Sequence, residues 1–271
     1  MERIKKALEK AQQQKQETET EQSLPEQNVS GGAQETQQIE YSETRNINVS
    51  EQLLKTNRIV AGIDDDPRAD LYKMLRTKVL QKMQLNNANV LAITSPKRGE
   101  GKSLTAINLA ISIAMDANYS VLLVDLDLRN PSIHSYLGLP AEPGLSDYFA
   151  GDKTISELLI HPGFEKMVVL PAGQAIKRSS DLLSMPKMLE LASELKQRYS
   201  DRIVVVDLPP LLHTDDAMIY MPNVDACLLV VAEGESSEDD VKQSIIMIDK
   251  DKYIGTVLNK SAENHTASEE Y

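Results

Sequence analysis

The stretch Val90-Leu91-Ala92-Ile93-Thr94-Ser95-Pro96-Lys97-Arg98-Gly99-Glu100-Gly101-Lys102-Ser103 decides the fold of this 271-residue chain. Its apolar beginning predicts a short buried strand, and the apolar spacing beyond it predicts a helix from Lys102 to about Asp116. The loop between them has the features of a phosphate site, in which backbone N–H groups hold phosphate oxygens at a helix N-terminus. Gly101-Lys102-Ser103 supplies the glycine, lysine and hydroxyl on which such loops end, although Pro96 stands where the usual pattern begins with glycine.

Outward from this stretch, short apolar runs alternate with helical patterns. We expect strands at 121–124, 167–170, 203–206, 226–231 and 254–258, and helices at 185–199 and 237–250. Runs of β-branched residues without polar alternation are typical of parallel strands that helices cover on both faces. The chain therefore predicts an α/β fold, a doubly wound and mostly parallel sheet with helices on both faces.

Two acidic segments follow expected strands. Asp125-Leu126-Asp127-Leu128-Arg129 comes after the strand at 121–124, and Asp207-Leu208-Pro209-Pro210 comes after the strand at 203–206. Ligands of doubly wound sheets bind outside the carboxyl ends of the strands, where these carboxylates and the phosphate loop should meet. Taken singly, each aspartate is explained as well by a turn or a cap. Together, and in this order, they predict a site for a nucleotide and a metal ion.

The two ends of the chain differ in composition from its middle. Residues 1–58 are rich in glutamine and glutamate, and we expect a disordered leader because such a segment buries too little apolar surface to offset its loss of entropy. Within it, apolar residues at helical spacing between Met1 and about Lys15 predict a short helix, either a docking helix or a solvated one. We expect the folded domain at 59–260 and a disordered acidic tail at 261–271.

Composition narrows the class of protein. The net charge of −12 argues against a protein that grips the backbone of nucleic acid. The single cysteine, Cys227, excludes an intrachain disulfide framework and a cysteine-based zinc site. The sequence holds no apolar run of about 18 residues and no N-terminal apolar stretch of signal-peptide length. We therefore expect a cytoplasmic protein without a transmembrane segment.

The order of the phosphate loop, Asp-x-Asp-x-Arg and Asp-x-Pro-Pro resembles the bacterial tyrosine kinases (BY-kinases) of exopolysaccharide and capsule biosynthesis. Members of that family are P-loop NTPases of the deviant Walker type, related to the Min and Par partitioning ATPases. The resemblance runs from about Asp70 to Lys260, and it includes Gly144-Leu145-Ser146-Asp147-Tyr148 and the strand end Thr256-Val257-Leu258-Asn259.

The resemblance implies a protein-tyrosine kinase with ATP and Mg²⁺ as cofactors. Lys102 would contact the β- and γ-phosphates, and Asp125 would orient the attacking tyrosine or accept its proton, with Asp127 completing the catalytic set. The metal would be held by Ser103, Asp127 and Asp207. The implied nucleotide-binding residues are Lys97, Arg98, Gly99, Glu100, Gly101, Lys102, Ser103, Leu104 and Asn259.

Two of these residues, Asn259 and Lys97, have a second possible explanation. Asn259 would contact the adenine, but Asn259-Lys260 is also half of a guanine-specific Asn-Lys-x-Asp motif; position 262 is alanine, which favours ATP. Lys97 lies where partitioning ATPases place a second lysine that acts on a partner subunit's nucleotide. A surface lysine explains Lys97 equally well.

Relatives commonly end in a cluster of tyrosines that they phosphorylate on one another, whereas this chain ends in a single one. We expect two phospho-acceptors: Tyr271, which follows two glutamates, and Tyr41 in the leader. The resemblance also implies a homo-oligomer formed through the helix around Asp70–Arg76, a stretch that an exposed helix face explains nearly as well.

By resemblance, the activating partner is an inner-membrane polysaccharide chain-length or export protein, which would hold this chain at the inner face of the plasma membrane. The chain would then phosphorylate itself and regulate the synthesis and export of exopolysaccharide. Two alternatives stay open: an ATP-binding scaffold with little kinase activity, and a partitioning-type ATPase. No nucleic-acid partner is expected.

Overall fold

A computed structural model describes residues 44–63, 65–197 and 202–261 of the chain. Within these ranges the strands are β1 (Arg45–Asn46), β2 (Val90–Thr94), β3 (Ser120–Asp125), β4 (Ile160–His161), β5 (Met167–Leu170), β6 (Arg202–Asp207), β7 (Ala226–Ala232) and β8 (Tyr253–Asn259). The α-helices are α1 (Glu51–Thr56), α2 (Ala69–Leu85), α3 (Lys102–Ala114), α4 (Ile133–Leu137), α5 (Leu145–Ala150), α6 (Ile155–Leu158), α7 (Ser179–Leu183), α8 (Pro186–Gln197), α9 (Asp216–Tyr220) and α10 (Glu238–Met247).

The strands form one sheet in the order β1-β4-β5-β3-β6-β2-β7-β8. Every neighbouring pair from β5 to β8 along this order is parallel, whereas β4 runs antiparallel to β5. The register pairs Asp125 at the end of β3 with Asp207 at the end of β6, and Ile93 of β2 lies opposite Asp207 on the other side. The carboxyl ends of β2, β3 and β6 therefore open on one edge of the sheet, and this edge carries the phosphate loop and both acidic segments.

Helices cover both faces of the sheet, which explains why its central strands are buried throughout and mostly apolar. Every residue of β2, β3, β6 and β7 is buried. Helix α3 is buried along almost its whole length and packs against α2, β3 and β6. A helix this apolar on all sides requires cover on all sides, because each buried side chain contributes to stability in proportion to the apolar area that leaves water.

The predicted fold class, a doubly wound and mostly parallel α/β sheet, is confirmed. The six predicted strands correspond to β2, β3, β5, β6, β7 and β8, with bounds that differ by one residue or less. The predicted helices correspond to α3, α8 and α10. The sequence did not predict the antiparallel strand β4 or the short helices α4 to α7 and α9, because segments of four to six residues are too short to display a helical period.

The boundary predicted at residue 58 requires correction. Residues 45–46 form β1 beside β4, and α1 begins at a cap in which Ser50 Oγ accepts a hydrogen bond from Leu53 N. Leu54 of α1 and Ile59 are buried in the main core. This part of the chain is therefore folded domain; its few apolar residues were too widely spaced to distinguish it from the polar leader. The predicted N-terminal helix, Tyr41 and the tail beyond Ser261 lie outside the described residues.

Within the described residues, no helix is both long enough and apolar enough to cross a lipid bilayer.

Candidate nucleotide site

The phosphate loop owes its shape to two glycines. Gly99 and Gly101 have φ values of +84° and +93°, a region that side chains with a Cβ rarely adopt. A Cβ on Gly101 would also lie 2.0 Å from Nδ2 of Asn259. Helix α3 begins directly after Gly101, so its first backbone N–H groups face the loop. The sequence pattern at 99–103 therefore produces the anion-binding geometry that it predicts.

Two side chains of the predicted nucleotide-binding set hold the loop in place from outside. Glu100 is 1% exposed. Its carboxylate accepts hydrogen bonds from Lys97 N at 2.7 Å and from the hydroxyl of Ser236. Asn259 Nδ2 donates to the carbonyl oxygen of Glu100 at 2.9 Å. These contacts tie the loop to the ends of β7 and β8, so Glu100 and Asn259 support the loop through their side chains.

Lys102 lies at the centre of a buried cluster. Its Nζ is 2.9 Å from Asp127 Oδ2 and 3.3 Å from Asp207 Oδ1, and it donates to Ser103 Oγ at 3.1 Å. The structure thus brings together the lysine, the hydroxyl and both carboxylates that the sequence predicted for one site. Burial alone would lower the pKa of Lys102, but the negative charges of Asp207 and Asp127 outweigh it and raise that pKa. The ammonium is therefore charged.

The pKa values of two carboxylates in the cluster are raised as well, which for an acid disfavours the charged form. Burial raises the pKa of Asp125 to about 7; the charge of Asp207 adds to this shift, and Lys102 opposes it. Burial also raises the pKa of Asp207, again against the influence of Lys102. One cation thus compensates a cluster of three buried carboxylates only in part, and the surplus negative charge favours a cationic ligand.

Asp125 faces the backbone, away from the open space. Its Oδ1 accepts from Asp127 N at 3.2 Å, and its Oδ2 accepts from Ser132 N at 3.0 Å and Ile133 N at 3.1 Å. The residue is fully buried. The geometry makes Asp125 the anchor of the loop between β3 and α4, while Asp127 is the aspartate that borders the cavity.

Arg129 holds the loop between β3 and α4 through a second set of contacts. Its guanidinium bonds both oxygens of Asp216 at 3.1 Å, Ser179 Oγ at 2.9 Å and Ser180 Oγ at 3.0 Å. Asp216 is fully buried and also accepts from Ser179 Oγ at 2.5 Å. A two-pronged arginine–carboxylate pair is geometrically specific. The Arg of Asp-x-Asp-x-Arg therefore joins the loop after β3 to α7 and α9.

A cavity of about 250 Å³ opens over the phosphate loop. Its lining residues are Arg98, Gly99, Gly101, Lys102, Ser103, Leu104, Asp127, Asn130, Ser132 and Tyr136. The sequence analysis did not predict three of these residues, Asn130, Ser132 and Tyr136. Those residues carry no motif; only their position just after the acidic segment could have indicated them.

The remaining predicted residues divide into three groups. Arg98 and Leu104 border the cavity with the glycines and Lys102. Lys97 points elsewhere: its Nζ pairs with Asp240 Oδ2 of α10 at 2.5 Å. Tyr41 and Tyr271 lie outside the described residues. The structure thus gives Lys97 an intramolecular partner, which neither of the two sequence explanations included.

A divalent cation fits the residues around Lys102. Oδ2 of Asp207 is buried and has no hydrogen-bond partner among the described residues, so a lone pair is left for a ligand. Ser103, Asp127 and Asp207 offer oxygen atoms only, the type of ligand that Mg²⁺ prefers. The described residues contain no cluster of three or more acidic, histidine or cysteine side chains able to hold a metal by themselves.

Three comparisons with known proteins match this chain to a P-loop NTPase family, to tyrosine-protein kinases and to the structure of a tyrosine kinase domain. The profile of the ParA family, described as the NUBPL iron-transfer P-loop NTPase, matches residues 86–270. The putative tyrosine-protein kinase CapB of Staphylococcus aureus is 29% identical over 214 residues, which are 77% of this chain and 92% of CapB. The putative tyrosine-protein kinase EpsB of Ralstonia nicotianae is 31% identical over 73% of this chain but only 27% of its own length. The structure of the kinase domain of Escherichia coli tyrosine kinase ETK matches with a TM-score of 0.70 and 28% identity, covering 84% of this chain and 92% of that domain.

Proposed function

The chain belongs to the ParA family of P-loop NTPases and, within it, to the bacterial tyrosine kinases, and from this premise we propose that it is an Mg-ATP-dependent protein-tyrosine kinase that phosphorylates itself. Its γ-phosphoryl acceptors are Tyr271 and Tyr41, and its biological role is the regulation of exopolysaccharide or capsule synthesis and export. The observation that carries the proposal is the position of Lys102, a charged and buried ammonium at the floor of a cavity walled by the phosphate loop.

In this proposal the side chains of the site divide between them the binding of phosphate, the binding of the metal and the support of the loop. The N–H groups at the start of α3 and the ammonium of Lys102 bind the β- and γ-phosphates, for which Nζ exchanges its carboxylate partners for phosphate oxygens. Ser103, Asp127 and Asp207 hold the magnesium, which neutralises charge on the phosphates when it is bound. Asn259 supports the loop beside the adenine.

Transfer joins the phenol oxygen of the acceptor to the γ-phosphorus and breaks the bond to the β–γ bridging oxygen, which leaves as ADP. The phenol has a pKa of about 10, so a carboxylate at the cavity must accept its proton for the attack to proceed at neutral pH. Asp127 borders the cavity and Asp125 does not, so we assign the proton to Asp127 and the orientation of Asp127 to Asp125.

The proposed activator is the cytoplasmic segment of a membrane protein of polysaccharide export, which would bring this chain to the inner face of the membrane. Association into a homo-oligomer would bring the acceptor tyrosine of one copy to the cavity of another. The activator and the homo-oligomer are both proposed from family membership. The homo-oligomer also rests on the candidate acceptors Tyr41 and Tyr271.

The decisive experiment incubates the purified full chain with Mg-ATP, with and without such a segment, and maps phosphotyrosine by mass spectrometry. We expect label at Tyr271, its loss in Lys102→Ala, and its retention in Lys250→Ala, a matched change of an exposed lysine after α10. ATP turnover without tyrosine label would point to a partitioning-type ATPase. ATP binding without turnover would point to a scaffold, and either result overturns the kinase proposal.

A further inference from the structure

Arg98 is an exposed cation at the mouth of the cavity that forms no ion pair with any residue in the described ranges. Its neighbours in the loop differ from it in this respect, because Lys97 pairs with Asp240 and Lys102 with Asp127 and Asp207. In a chain of net charge −12, an uncompensated arginine at the rim of the site is available to an external anion.

Lys177 is a second such cation at the same edge of the sheet. The segment after β5 crosses beside the loop after β3, where Ile176 N donates to the carbonyl oxygen of Leu128 at 2.8 Å. Lys177 follows directly; it is exposed and forms no ion pair with a described residue. Arg178, next to it, is engaged with Asp181 and so contributes less free positive charge.

The candidate acceptors carry the complementary charge. Tyr271 follows Glu269 and Glu270, and Tyr41 follows Glu40. The tail that carries Tyr271 leaves the domain beside the phosphate loop, because Asn259 bonds the carbonyl oxygen of Glu100. Tyr271 is the twelfth residue after Asn259, and twelve residues span at most about 40 Å when extended, which is long enough for the tyrosine to reach a cavity.

We propose that Arg98 and Lys177 bind the carboxylates that immediately precede the acceptor tyrosine, and that the segment Glu269-Glu270-Tyr271 of this chain is the peptide they receive. The two cations then select acidic peptides over neutral ones and direct the phenol toward the γ-phosphate. Without them, the strongly negative protein would repel an acidic substrate. This inference rests on the proposed kinase function.

The test is a charge exchange in the full chain. One variant carries Glu269→Lys and Glu270→Lys, a second carries Arg98→Glu and Lys177→Glu, and a third combines all four changes. Each is incubated with Mg-ATP, the label at Tyr271 is quantified, and ATP affinity is measured separately. We expect about a tenfold loss of label in each reversal and recovery of at least severalfold in the combined variant. The matched control, Lys242→Glu with Lys250→Glu, reverses two exposed lysines on and just after α10.

Three outcomes of the charge exchange would contradict recognition of the acidic segment by Arg98 and Lys177. Full labelling of the Glu269→Lys/Glu270→Lys variant overturns the proposal, because the acidic residues would then be irrelevant. A loss in the Arg98→Glu/Lys177→Glu variant that matches its loss of ATP affinity, without recovery in the combined variant, also overturns it and makes Arg98 a nucleotide contact. An unlabelled wild-type chain is the distinct outcome in which the kinase function itself fails, and the inference with it.

A mixing arm identifies which copy supplies the peptide. Lys102→Ala chains, which lack transfer activity of their own, are mixed with Tyr271→Phe chains, which keep it. Label at Tyr271 in the mixture means that the segment is received from a second copy. Label in the wild type that is absent from the mixture means that each chain receives its own tail. In either case Arg98→Glu with Lys177→Glu in the labelling copy should lower the label, and an unchanged label overturns the proposal.

Discussion

The phosphate loop and the loop after β3 line the same cavity, but they are built in different ways. The first takes its backbone conformation from its own residues, with two glycines at positive φ and a helix that begins at Lys102, and the distant Ser236 and Asn259 only brace it. The second depends on partners far along the chain, because Arg129 is held by Ser179 and Asp216. A locally determined loop is visible as a motif, whereas a loop held by distant partners is not. Each of the following changes tests this contrast.

Lys102 should show the largest effect. We expect Lys102→Ala to lower tyrosine phosphorylation by at least about 100-fold, because the ammonium stabilises the charge on the phosphates. The same change removes the cation from three buried carboxylates and should lower the free energy of unfolding by about 3–5 kcal/mol. Phosphotyrosine yield and urea denaturation measure the two losses separately. A variant that keeps its transfer rate would show that this loop is not the phosphate site.

The pair Asp127→Asn and Asp125→Asn compares an aspartate at the cavity with one that holds the backbone. We expect Asp127→Asn to lower the transfer rate by about 100-fold or more, in keeping with the loss of a proton acceptor and metal ligand. Asp125→Asn should lower it less, while costing about 1–3 kcal/mol of stability through the lost acceptor for a backbone N–H. Rate constants and chemical denaturation of both variants give the comparison, and the reverse order of rates would make Asp125 the base.

Arg129→Lys tests the long-range support of the second loop. Lysine keeps the charge but cannot bond both oxygens of Asp216 at once. We expect the transfer rate to fall about tenfold and stability to fall by about 1–3 kcal/mol, since the buried Asp216 loses part of its hydrogen bonding. Kinetics at saturating ATP report the first effect. If the rate is normal while stability falls, the loop after β3 does not need Arg129 for its active shape.

The buried carboxylates predict a smaller, pH-dependent effect on the protein without nucleotide. Asp125 has a pKa of about 7 in the folded chain, against about 4 when unfolded, so the folded state binds this proton more tightly. Its contribution to stability is therefore complete below about pH 4 and is lost as the pH rises through 7, by at most about 1.4 kcal/mol per pH unit. Urea denaturation between pH 4 and pH 8 should show a steeper loss of stability with rising pH in the wild type than in Asp125→Asn, which keeps only the contribution of Asp207. Equal slopes would assign it to other groups.

Lys97→Ala should have the smallest effect of the series on phosphorylation. Lys97 pairs with Asp240 through a side chain that is 42% exposed, and such surface pairs contribute little to stability. Phosphorylation assays at several protein concentrations provide the measurement. A loss as large as that of Lys102→Ala, and steeper in dilute solution, would instead mean that Lys97 leaves Asp240 to act on a partner's nucleotide.

Much of the molecule could be predicted from residues close together in the sequence. The six strands from β2 to β8 other than β4 carry continuous apolar runs, and the phosphate loop carries a motif whose spacing is set by backbone geometry. The roles of the individual residues within the site were harder to predict from the sequence. Nothing near Asp125 in the sequence indicates that its carboxylate is enclosed by the backbone N–H groups of Ser132 and Ile133, so its exposure to a substrate could not be judged.

The edges of the domain were the least predictable. Residues 45–56 look like the polar leader in composition, yet β1 pairs with β4 and Leu54 enters the core. Tyr136 carries no motif, yet it borders the cavity because α4 follows the loop after β3. Both depend on contacts that form only when distant segments meet.

The sequence by itself determined the α/β fold, the phosphate loop and the three aspartates at the carboxyl edge, because periodicity, glycine conformation and strand ends are local properties of the chain. Only the tertiary structure decided what each charged group does. It gave Lys102 its two carboxylates, Lys97 its partner Asp240 and Arg129 its partner Asp216, and among the described residues it gave Arg98 no ion-pair partner. The physical reason is that a charge acts through its distance to other charges and its burial, and both are properties of the folded chain.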